Sequence, residues 1–201
     1  MNKIKAWHFG ANDRRLAHEP AVTVAPGFIY TSDEPEIIIC VKGLHASHTV
    51  YDALQYATGE YLCRVECWGN VTEQADKLVA RNRYVIDARD VAAELRLWAC
   101  WCVRQQWHLL TDERSRRAVE VAEAFARGEA TQEQLAYAAA AAYAAYAAYA
   151  AYAAYAAYAA YAAAAYAAAA YAAAYAAASC AKQDQKTELE RRMLVLFGES
   201  L

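Results

Sequence analysis

Between Ala136 and Ala178 the chain is an unbroken run of 43 residues built only from alanine and tyrosine. Alanine is the strongest helix former and nothing in the run breaks a helix, so it predicts one long helix of about 65 Å. Within it Tyr143, Tyr146, Tyr149, Tyr152, Tyr155, Tyr158 and Tyr161 recur at every third position. Three residues advance an α-helix by about 300°, so each ring falls about 60° behind the last and the rings circle the helix. A monomeric surface helix keeps one apolar stripe by mixing threes and fours. Strict threes leave two solutions. A 3₁₀-helix stacks the rings in one column but is seldom sustained; an α-helix must instead be covered on every side. The α reading is the favoured one. Tyr166, Tyr171 and Tyr175 follow at looser spacing.

Such a spiral reads as an interface. Each ring offers apolar area and a phenol, and the intervening alanines allow close backbone approach. The expected partner of these ten tyrosines is a second copy of the chain, in a homo-oligomer or helical assembly, or another protein. A coiled coil needs threes and fours in alternation. A membrane span takes about 20 strongly apolar residues, and this run is twice that and mostly alanine, so no membrane is expected. Stacked bases come with Lys or Arg along the groove. No charge occurs from Ala136 to Ala181, and the net charge is -3, so no nucleic acid is expected either.

The rest of the chain reads as α+β: a small mixed β-sheet domain followed by helices and the long Ala/Tyr-rich helix. The expected divisions are a sheet domain over 1–88, a helical segment over 89–130, the Ala/Tyr helix over 131–181 and a short amphipathic helix over 182–201. All three prolines precede Asp87, which places the loop punctuation in the first half. "KIKAWHF" is a first strand, and the continuous apolar run Ile37 to Val41 a second. "SHTVYDALQYATG" is a short helix capped by Ser47 or Thr49 and stopped at Gly59. In "EYLCRVECWG" Tyr61, Cys63, Val65 and Cys67 alternate with Leu62, Arg64, Glu66 and Trp68, the pattern of a strand with one well-buried side. A further strand is expected near Arg83 to Ile86. From Asp90 the period becomes helical, through Val91, Leu95, Trp98, Cys102 and Leu109. Thr111 or Asp112 caps the next helix, and Gly128 closes it. Thr131 and Gln134 form a capping box for the Ala/Tyr helix, and the tail presents Leu189, Met193, Leu196 and Phe197.

Six cysteines are spaced C-x3-C and C-x-C where they cluster, which fits no common zinc pattern, so no metal is expected. Cys63 and Cys67 read as small core residues. "MNKIKAWHF" has no apolar signal core, and the expected setting is a reducing cytoplasm. No phosphate loop, HExxH, GxSxG or paired-carboxylate motif occurs, and catalytic residues are not assigned. The histidines are the candidates for ligand contact. His8 lies on the first strand, and His45 and His48 flank the turn after Val41. Two histidines beside a helix N-terminus can take a phosphate-bearing ligand.

"AWHF", "GLHAS" with "DALQYATG", "LCRVECWG" and "DKLVARNRYVI" occur in an order that resembles an uncharacterised protein family of bacteriophages and related bacterial loci. The resemblance covers roughly Ile4 to Trp107, and "LERRML" at Leu189 to Leu194 resembles the end of the family's Ala-rich tails. Those tails mix Ala with Arg, Asp and Trp, where this chain uses Tyr. The resemblance implies a phage or prophage origin, the host cytoplasm, and no particular activity. The order of elements is also similar to ADP-ribosyltransferase-like folds, in which a His on an early strand precedes a Gly-containing turn, a helix and a strand like "YLCRVEC". That similarity implies NAD as ligand, with His8 and His45 at the two positions contacting it. No other cofactor is implied.

Overall fold

The computed structural model describes residues 2–16, 19–148 and 182–200. Its elements run β1 (Ile4–Gly10), β2 (Arg15–Leu16), β3 (Glu19–Thr23), β4 (Ile29–Thr31), β5 (Leu44–Ala46), α1 (Val50–Leu54), β6 (Tyr61–Trp68), β7 (Thr72–Glu73), β8 (Leu78–Ala80) and β9 (Asn82–Asp90). Helices α2 (Ala92–Gln105), α3 (Glu113–Ala126), α4 (Gln132–Ala148) and α5 (Lys182–Leu196) follow, with a 3₁₀ turn at Trp107–Leu109. The fold is α+β. Two compact units form, one from Met1–Val91 with Glu190–Leu201 and one from Ala92–Leu189. The sheet unit thus reaches past residue 88 and takes in the end of the tail.

The sheet unit is built on the alternation of β6. An antiparallel sheet of order β1-β6-β9-β4 places it centrally. Pairing of His8 with Cys63, Cys67 with Arg83, and Tyr30 with Arg83 puts these five side chains on one face. Ala6, Val65 and Val85 complete that face. A second sheet, β5-β8-β7, joins the first where Trp7 and Ser47 exchange backbone hydrogen bonds of 2.8 Å. The opposite face carries Trp7, Leu62 and Arg64, all buried, so β6 has two buried sides rather than one. What covers it is α1 and the tail: the Phe197 ring meets Trp7 edge-on at 5.2 Å, and Glu199 takes the Arg64 guanidinium at 2.9 and 3.0 Å.

The apolar run Ile37 to Val41 is not a strand. Ile38 and Lys42 pair with each other across a tight turn, and Cys40 takes φ 65°. A residue in that left-handed region reverses the chain, so five consecutive apolar residues cannot lie along one strand. Helix α1 also ends earlier than expected. Tightened bonds from Tyr56 N to Ala53 O and from Ala57 N to Leu54 O close it five residues before Gly59.

In the helical unit, Leu95, Trp98 and Cys102 of α2 are buried as their spacing implies. Leu109 lies in the 3₁₀ turn and is exposed, because α2 ends at Gln105. Helix α3 starts on Asp112 and ends on Gly128 at φ 76°, with Glu129 N donating to Ala124 O at 2.8 Å. The capping box at α4 forms in both directions, Thr131 N to Gln134 Oε1 at 2.8 Å and Gln134 N to Thr131 Oγ1 at 3.2 Å. The start of the Ala/Tyr run, to Ala148, is α rather than 3₁₀. There Leu135, Ala138, Ala139 and Ala142 face inward, while Tyr137 is 80% and Tyr143 is 55% exposed. The positions from Tyr149 to Tyr175, and the Tyr146 side chain, lie outside the described residues.

Candidate functional site

The cysteine-bearing face of the main sheet opens onto a cavity of about 1090 Å³ within the sheet unit. His8 from β1, Tyr30 from β4, Arg83 from β9 and His45 from β5 all line it, as do Tyr56 and Lys77. The volume reaches that of sites which enclose drug-sized ligands. His8 and His45, chosen from the sequence, therefore meet at one site although they stand on different sheets.

Each histidine is held in a definite state. The His45 Nε2 accepts a 2.8 Å hydrogen bond from the Cys40 backbone N–H. That bond fixes the proton on Nδ1 and pins the Ile38–Lys42 turn against β5. His8 keeps part of its surface open to the cavity, yet burial lowers its pKa well below the usual imidazole value. The positive charge of Arg83 and the neighbouring His45 lower it further. At neutral pH His8 is an uncharged donor and acceptor.

Arg83 is the residue that sequence reading passed over. Only 1% of it is exposed, and its Nη1 donates to the His45 carbonyl at 2.9 Å, tying β9 to β5. Its Nε is buried with no hydrogen-bond partner. Around it, burial pushes the Cys63 and Cys67 thiols up to about 11 each. Both are neutral at physiological pH and inert. The Tyr30 hydroxyl is occupied, donating to Thr23 O and accepting from Ala25 N at 2.8 Å. A signal existed in the sequence. In "NRYVI" the parity that buries Val85 also buries Arg83, and an arginine at a core position of a strand needs a reason.

The helix N-terminus expected to help hold a phosphate is already engaged. Thr49 Oγ1 caps α1 by accepting from Asp52 N at 3.1 Å, and Glu190 Oε2 accepts from Val50 N at 2.8 Å. The other oxygen of Glu190 takes the Trp7 indole N–H at 2.8 Å. The anion at this helix end is the chain's own. His48 does not line the cavity; it is exposed and pairs with Glu73 at 2.7 Å. No group of three or more metal-ligating side chains occurs among the described residues.

No described helix is long and apolar enough to cross a membrane. No protein-family model, curated protein or solved structure matches the chain.

Proposed function

We propose that the sheet unit binds a small molecule of nucleotide size in the His8–His45 cavity, and that NAD is the first ligand to test. The observation that carries this is the meeting of His8, His45 and a buried Arg83 around one roomy cavity. Aromatic surface from Tyr30 and Tyr56 suits a planar ring, and polar and apolar groups share the lining. The reading is of binding. Asp33 and Glu34 are the acids that line the cavity, and Glu34 is held by Lys42 at 2.9 Å. An ADP-ribosyl-transferring form of the reading rests on the order of motifs alone. Calorimetry with NAD on the full chain tests the proposal. Binding that is lost in His8→Ala and weakened in His45→Ala is the expected result; no heat of binding to the wild type refutes the NAD assignment.

A second reading concerns the Ala/Tyr run: self-association, or docking of a protein partner, through its tyrosines. The inward alanines and outward Tyr137 and Tyr143 of α4 favour it, since both tyrosines keep more than half of their surface exposed. With it go the phage or prophage origin and host cytoplasm that the sequence motifs suggest. Truncation after Leu135 is a poor test because it also removes Glu190, Phe197 and Glu199 from the sheet unit. Replacing the seven tyrosines from Tyr143 to Tyr161 by alanine keeps helix propensity and the whole tail. Light scattering should find a large species for the wild type and a monomer for this variant. Equal sizes for the two refute the reading.

A further inference from the structure

Arg83 presents a charge that no described carboxylate of the sheet unit neutralises. Arg83 lines the cavity, its guanidinium makes no ion pair to any described carboxylate, and its buried Nε–H has no acceptor. A buried donor without a partner costs its full desolvation, and a buried charge without a countercharge costs more. The neighbours that face it are neutral thiols at Cys63 and Cys67, an occupied phenol at Tyr30, and the two histidines. The one bond it makes inside the unit goes to a carbonyl, which a neutral amide donor could serve equally well. Tying β9 to β5 therefore accounts for a donor here, but not for a charge. Lys77 and Arg15 also line the cavity, so no excess of acid on the wall stands in as countercharge.

We infer that Arg83 anchors an oxyanion of the ligand, phosphoryl or carboxylate, with its buried Nε–H and the adjacent His8 ring as donors. This rests on the binding reading above and adds the chemical class of the ligand. A guanidinium suits such a group because its N–H fork matches two oxygens of an oxyanion.

The test titrates the full chain with inorganic phosphate, acetate and adenosine while NMR follows the His8 and His45 ring signals. Wild type and Arg83→Met are compared, the latter keeping apolar bulk without charge. Phosphate should move both rings in the wild type and bind roughly 10- to 100-fold more weakly to Arg83→Met. Acetate acting in place of phosphate assigns the carboxylate. Adenosine, which has no charge, should bind the two proteins alike. If adenosine moves the rings while phosphate and acetate bind both proteins equally or not at all, the anchor is overturned and the cavity reading stands. If no probe moves either ring, both fall. Should Arg83→Met fail to fold, Arg83→Lys serves: it retains charge but loses the fork, and unchanged phosphate affinity there overturns the anchor.

Discussion

Arg64 and Arg83 sit on adjacent strands of one sheet, 9% and 1% exposed, and point to opposite faces. Arg64 has everything a buried cation needs. Glu199 grips it with two bonds, and its guanidinium lies 4.3 Å from the centre of the Trp7 ring. Arg83 has a carbonyl and an unmade bond. The same sheet thus finishes one face with its own tail and leaves on the other, facing a cavity, a charge that no described carboxylate compensates. A satisfied arginine serves the fold, whereas an unsatisfied one in a cavity wall is a reason to look for a ligand.

The two arginines should respond to mutation in opposite ways. Arg64→Ala strands Glu199 and uncovers Trp7, and should cost about 3 kcal/mol, at the low end for a buried pair because Glu199 is partly exposed. Urea unfolding measures it. Glu190→Ala leaves the Trp7 indole and the Val50 amide without acceptors and should cost about 2 kcal/mol by the same measurement. Arg83→Met removes a buried charge that no described carboxylate offsets. Its unfolding free energy should stay within about 1 kcal/mol of the wild type, or rise. A loss as large as that of Arg64→Ala would erase the distinction between the two faces.

Acid titration separates the faces as well. The Arg64 ion pair holds the Glu199 carboxyl below its usual range, so its stabilisation is present above about pH 4.3 and fades as pH falls through the folded value. His8 has a depressed pKa in the folded unit. Its contribution is present above about pH 6.5 and declines below it, because the unfolded imidazole takes a proton that the folded one resists. Glu199→Gln should flatten stability against pH only in the lower window, and His8→Asn only in the upper one. The smallest effect belongs to the outward side of α4: Tyr137→Ala should change stability by less than about 0.5 kcal/mol in the same assay.

Much of this architecture is legible in the sequence where the signal is local. The alternation of Tyr61 to Trp68, the Asp112 cap, the Thr131–Gln134 box and the Gly128 stop each depend on residues a few positions apart, and each forms. Ile37 to Val41 misleads because a short apolar run does not reveal whether its backbone turns, and Cys40 turns it. Strands β4 and β8 are three residues long, too short for any period to register. The Trp7–Glu190 and Arg64–Glu199 bonds join residues 183 and 135 positions apart. Charge in a tail helix reads as solvated surface until the sheet it covers is known. Half of the candidate site is legible for a related reason. Histidines beside strand ends draw attention by type, whereas Arg83 acquires its meaning only from what fails to surround it.

The most direct test of the contrast is an NMR titration of the arginine Nε–H signals of the full chain with NAD. The Arg83 Nε–H cross-peak should shift and be protected from exchange as NAD binds, while that of Arg64 stays where it is. Saturating NAD with the Arg83 signal unmoved, or with Arg64 moving as far, would contradict it.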